Sequence, residues 1–101
     1  MKYPKRITIC GKIYKVRYVK QPMLNDEKSQ ATINYKTGII RIRKGWFKDF
    51  TTECILHECI HGISDTYDLS LTEDQVKTLS PAIYALFRDN PKLLKLMGNE
   101  K

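Results

Sequence analysis

Residues 38–63, GIIRIRKGWFKDFTTECILHECIHGI, contain the change of period that decides the fold. Ile40 and Ile42 are spaced by two, the repeat of a half-buried strand. From Asp49 onward, Leu56, Cys59, Ile60, Ile63 and Tyr67 take the three-and-four spacing of a helix with one apolar face. Asp49 or Thr51 suits the start of that helix as a cap, and Glu53 complements its positive end.

Toward the N-terminus the period of two continues through Ile7 and Ile9, then Tyr14, Val16 and Tyr18, then Ile33 and Tyr35. Gly11-Lys12 reads as a tight hairpin with glycine leading. Tyr35-Lys36-Thr37-Gly38 reads as a second turn, with glycine where a positive φ costs little. Residues 21–30, with Pro22 and Asn25-Asp26, read as a loop. The pattern predicts three to four strands in two hairpins, forming one twisted antiparallel or mixed sheet, with residues 38–43 as an exposed edge.

Toward the C-terminus a second helix is well marked. Thr72 and Gln75 make a capping-box pair, flanked by Leu71 and Val76 as a hydrophobic staple. Val76, Leu79, Ile83, Leu86 and Phe87 continue its apolar face. Pro81 is expected to kink the helix, or to restart it with Ser80 as a new cap. Residues 91–97 form a last short helix that stops at Gly98. Strands followed by two to three helices define an α+β protein. The 101 residues are read as one domain, a basic sheet region over 1–48 and a helical region over 49–98.

Composition narrows the class. No run of 18 apolar residues exists to form a membrane helix, and the opening Met-Lys-Tyr-Pro-Lys-Arg precedes no continuous apolar stretch of the kind a signal peptide carries. The expectation is a cytoplasmic protein without a membrane partner. Three cysteines, Cys10, Cys54 and Cys59, are an odd number without a CxxC pair, which argues against a disulfide framework and a four-cysteine zinc module. Charge is unevenly placed: residues 1–48 hold 13 of the 18 Lys and Arg but only Asp26 and Glu27 of the 11 acids. That basic half either serves as a solvated surface or attracts nucleic acid or an acidic partner.

His57-Glu58-Cys59-Ile60-His61 carries the chemistry, and it holds both of the chain's histidines. On a helix His57 and His61 lie one turn apart on one face, so both imidazoles can reach one metal ion. Glu58 lies about 100° further round the axis. This is the HExxH arrangement, in which two histidines and a third ligand hold zinc and leave a position for water. Zinc so bound lowers the pKa of water to about 7 and polarises a peptide carbonyl. Glu58 is then the general base that takes the proton and delivers it to the leaving amine.

The third ligand is read as Glu73, 12 residues after His61 in the first turn of the next helix, a position that also suits an ordinary dipole-complementing glutamate. Asp65, one turn beyond His61, is the nearest rival, followed by Asp68 and Asp74. A histidine ten residues after the first, beyond a glycine turn, is absent: Tyr67 and Ser64 stand at those positions. Cys54, three residues before His57, is chemically able to ligate zinc, although packing is the commoner role of a free cysteine, and Cys59 belongs to the core stripe. Tyr84, three turns beyond Glu73, is the candidate donor to a developing oxyanion, with core packing as its ordinary role.

His57 to His61, with Leu71-Thr72-Glu73-Asp74-Gln75-Val76, resembles the minimal zinc metallopeptidases of bacteria and phages, loosely the ImmA/IrrE-like group. The resemblance covers roughly residues 38–90. It implies a small zincin-like domain, zinc on His57, His61 and Glu73, Glu58 as catalytic base, and cleavage of an intracellular regulatory protein, commonly in prophage or mobile-element control. The chain departs from the group in its shortness, in Val76 where alanine often follows the ligand glutamate, and in lacking a recognisable DNA-binding domain. Two other readings stand beside this one. One is a SprT-like protease acting on DNA-bound proteins, which the +7 charge would suit. The other is a non-enzymatic nucleic-acid or protein-binding module whose zinc is structural, with Cys54 or Asp65 as the fourth ligand.

Overall fold

The computed structural model describes residues 2–20 and 30–98. The chain is an α+β protein: β1 (Arg6–Ile9), β2 (Lys12–Val19), β3 (Ala31–Asn34) and β4 (Ile39–Arg43) form one sheet, followed by α1 (Lys48–Thr66), α2 (Glu73–Asp89) and α3 (Pro91–Met97). Residues 21–29 of the expected loop lie outside the described residues.

Both expected hairpins form, β1 with β2 and β3 with β4, and the hairpins join through a parallel pairing of β2 with β4. The sheet is therefore mixed, in the order β1-β2-β4-β3. This corrects the expected edge: residues 38–43 belong to an interior strand, and β3 is an edge. The physical reason lies in Ile40 and Ile42, both at 0% exposure. Flanking strands on both sides help to exclude water from them, as burial of two such side chains requires.

The first turn also differs by one residue. Ile9 pairs with Lys12, so the two turn residues are Cys10 at φ 50° and Gly11 at φ 85°. Two positive φ values match the right-handed twist of the flanking strands. The 35–38 turn is as expected at its glycine, Gly38 at φ 70°. Asn34 closes it, its Oδ1 accepting from the backbone N–H groups of Lys36 and Thr37, both at 3.0 Å.

One face of the sheet carries the core: Ile9, Tyr14, Val16, Ile40 and Ile42 pack with Ile55 of α1. The expected apolar face of α1 is corrected in detail, since Ile63 and Tyr67 are exposed. The buried line runs instead through Thr51, Ile55, Glu58 and Gly62. Gly62 explains this rotation, because a Cβ there would come within 2.9 Å of Ile9 Cδ1 and 3.2 Å of Ile9 Cγ2. A bare Cα lets the helix lie close to the strands. The start of α1 differs too: Phe47 occupies the cap position without a side-chain cap, and Asp49 is in the first turn.

α2 begins as expected, with the Thr72–Gln75 capping box complete. It runs unbroken through Pro81, so Ser80 caps no new helix. Its hydroxyl donates to the Val76 carbonyl at 2.7 Å, a back-bond one turn upstream. The buried residues of α2 are Val76 and Ser80, whereas Leu79 and Leu86 of the expected stripe are exposed. α2 packs on α1 and α3, and its backbone comes close to no strand.

Candidate metal centre

α1 supplies the two imidazoles and α2 the carboxylate. The 67–72 connection turns the chain sharply, with Asp68 at φ 54° and Ser70 at φ 56°, two non-glycine residues in the left-handed region. Such conformations persist where their surroundings hold them. Ser64 does so from the end of α1: its carbonyl accepts from Leu69 N–H at 2.9 Å and its hydroxyl from Leu71 N–H at 3.0 Å. Thr72 then starts α2 at once, which makes Glu73 its first residue and sets it against the histidine pair.

The geometry is convergent. Glu73 Oε1 lies 2.6 Å from His57 Nε2 and Glu73 Oε2 lies 2.9 Å from His61 Nε2, while the two Nε2 atoms are 3.1 Å apart. One ligand atom from each of the three residues falls within a 4.8 Å group. Ligand atoms about 2.0–2.1 Å from a tetrahedral zinc stand roughly 3.3 Å from one another. The two Nε2 atoms, 3.1 Å apart, are close to that separation, and Glu73 Oε1 at 2.6 Å from His57 Nε2 would have to draw back by roughly 0.7 Å to admit a zinc ion. The donor chemistry agrees, two neutral imidazole nitrogens and one carboxylate oxygen.

The electrostatics keep the set ready for a cation. Burial lowers the His57 pKa, and His61 and Lys77 add to this against the opposing pull of Glu73, which favours the neutral imidazole that ligates metal. Desolvation works to raise Glu73, but the two imidazoles outweigh it and hold the carboxyl below its ordinary range. Glu58 behaves differently. It is 5% exposed, and burial, then the neighbouring Glu73 charge, push it up to about 8 in the metal-free chain.

Glu58, His57 and Glu73 share a cleft of about 500 Å³ with Ala31 of edge strand β3, Phe50 and Cys54 of α1, and Lys77 and Pro81 of α2. His61 lines a separate, smaller hollow with Tyr35, Asp65 and Asp68 among others. Asp65 and Asp68 are thus near His61, but neither joins the convergent group. Asp74 is exposed in the first turn of α2 and is also outside it.

Tyr84 is not brought to the histidines. Its hydroxyl donates to Asp49 Oδ1 at 2.6 Å, and Asp49 precedes His57 by eight residues, about 12 Å along α1. Cys54 lines the cleft without entering the ligand group, and Cys59 packs against the core. Burial pushes both thiols up to about 11.

Two neighbours of the site escaped the sequence reading. Lys77 is one turn beyond Glu73 on the same face of α2, so its spacing was legible. Tyr35 approaches from the β3–β4 turn, its hydroxyl donating to the His61 carbonyl at 3.4 Å, and nothing local in the sequence signals that contact. Comparison with protein-family models, curated proteins and solved structures finds no match for this chain.

Proposed function

We propose that the protein is a zinc-dependent metallopeptidase of the minimal HExxH kind, hydrolysing a peptide bond in a specific intracellular protein. The observation that carries this reading is Glu73: a carboxylate from a second helix meets both motif imidazoles at 2.6 and 2.9 Å. A closed structural zinc site takes four protein ligands, whereas the convergent group among the described residues has three, which favours an open, catalytic site.

His57, His61 and Glu73 would hold the ion, which when bound supplies Lewis acidity toward a carbonyl and lowers the pKa of water. Glu58, in the wall of the same cleft, takes the proton from the attacking water and returns it to the leaving amine. Its burial excludes bulk solvent from that transfer. Edge strand β3 supports main-chain pairing with an extended substrate, because Ala31 borders the cleft that holds Glu58. The reading accommodates a regulatory protein of a phage or mobile element as substrate and a cytoplasmic setting. No described helix is long and apolar enough to cross a membrane.

The test is elemental analysis of protein purified without a histidine tag, paired with cleavage of a pooled peptide library. About one zinc per chain is expected, lost in His57→Ala. Glu58→Gln should retain zinc and fold while cleavage falls at least about a hundredfold. A Glu58→Gln protein that cleaves at the wild-type rate sinks the mechanism, and absence of zinc uptake sinks the reading.

A further inference from the structure

α1 covers one face of the sheet, and α2 and α3 reach no strand, so among the described residues no helix packs on the opposite face. The outward positions there are Arg6 and Thr8 of β1, Ile13, Lys15, Arg17 and Val19 of β2, Thr32 and Asn34 of β3, and Ile39, Arg41 and Arg43 of β4. None of the four strands contains an Asp or Glu.

The register sets like charges against one another. Arg6 pairs with Lys15 and Arg17 pairs with Arg41. Like charges on directly paired positions weaken a sheet. No ion pair joins Arg6, Lys15, Arg17 or Arg41 to a carboxylate among the described residues. Neighbouring strands are about 4.8 Å apart and alternate residues along a strand about 6.6 Å. The cations thus form a two-dimensional grid with spacings inside a Debye length.

We propose that this open sheet face docks duplex DNA through its phosphate backbone. A repeating polyanion relieves the repulsion that a lone acidic side chain would neutralise at one point only. Arginine predominates in the grid, and its planar fork matches phosphate oxygens. Single-stranded nucleic acid is held by stacking on aromatic rings as well as by charge, and no outward strand position carries an aromatic side chain. A duplex needs only the charge, and binding is independent of base sequence.

The experiment is fluorescence anisotropy of a labelled DNA duplex across a salt series, repeated on Arg17→Ala/Arg41→Ala and on Lys92→Ala/Lys95→Ala, which removes two exposed cations of α3. Four phosphate contacts give a log–log salt slope of about −3.6, or roughly a 150-fold loss of affinity between 50 and 200 mM salt. The Arg17/Arg41 variant should flatten the slope by about 1.8 and lose tenfold or more in affinity while melting no lower than the wild type, since it removes a like-charge pair. The α3 variant should bind as the wild type does. Binding should survive in His57→Ala, so the proposal stands or falls apart from the peptidase reading. It is overturned by absence of binding at low salt, by equal loss in the α3 variant, by tighter binding of the single strand, or by polyglutamate competing as well as duplex.

Discussion

The sheet and the helix pair that carries the histidines differ in charge and in how each is covered. The strands hold Arg6, Lys12, Lys15, Arg17, Arg41 and Arg43 with no acid, whereas α1 and α2 together hold seven acids against Lys48, Lys77 and Arg88. The sheet buries one face, and among the described residues no helix packs on the other. α1 is enclosed between the strands and α2, and α2 rests on its neighbours at the surface. The difference separates two electrostatic tasks in a chain of 101 residues. If both proposals hold, a cation would be drawn to the helical side and a polyanion to the sheet.

The strongest way to break this comparison is to remove the helical carboxylate. Glu73→Ala should weaken zinc binding by more than about a hundredfold, beyond the 10–100-fold typical of a lost supporting group, while Asp65→Ala changes it little. Competition with a chromophoric chelator measures both, and the reverse ranking would give the ligand role to Asp65.

A smaller effect sharpens the contrast, because Glu58 is a buried acid beside another carboxylate, Glu73. In chelator-treated protein its carboxyl is raised from 4.5 to about 8, so the folded state binds more protons than the unfolded state across that interval. Its contribution is complete below about pH 4.5 and is lost as pH rises through about 8. His57 acts in the opposite sense, with stability lost as pH falls below its ordinary value of 6.5. The window above 6.5 therefore reports Glu58, and stability should fall by about 1–2 kcal/mol between roughly pH 6.5 and 8. Thermal melts of Glu58→Gln should be flat there, and a wild-type melt that rises with pH would contradict the assignment.

The smallest effect falls where the two regions meet. Gly62→Ala gains helix propensity, up to about 1 kcal/mol, but the new methyl would crowd Ile9. Overpacking typically costs about 1–3 kcal/mol, so a net loss of about 1 kcal/mol and a fall in Tm of several degrees are expected. An unchanged or higher Tm would mean that Ile9 moves aside freely.

What the sequence disclosed follows from the range of each interaction. The strand pairs within a hairpin, the α2 capping box and the Glu73 position all rest on neighbours within 16 residues, and all are present. The order of the hairpins does not: the contact of β2 with β4 joins residues more than 20 apart, and it moved the edge from residues 38–43 to β3. The buried line of α1 was misplaced for a related reason. Hydropathy counts Ile63 and Tyr67 as core and Thr51 and Gly62 as not, but closeness to the strands selects small residues. Tyr84 was misplaced along the helix axis, since spacing fixes a face and says nothing about which end of α1 it meets.

That the backbone of α2 lies against α1 and α3 but near no strand has a consequence for how the molecule comes apart. The sheet with α1 is one cooperative unit, closed by the core around Tyr14, Ile40 and Ile42. α2, which carries α3, is a second unit and meets the first through α1, where Val76 is buried, the Glu73 carboxylate lies on both imidazoles and the Tyr84 hydroxyl donates to Asp49. Opening that second unit should therefore cost less than global unfolding, and its amides are expected to exchange first with solvent hydrogen. Any ion held between His57, His61 and Glu73 would bridge the two units, and its binding free energy would be spent on keeping them closed.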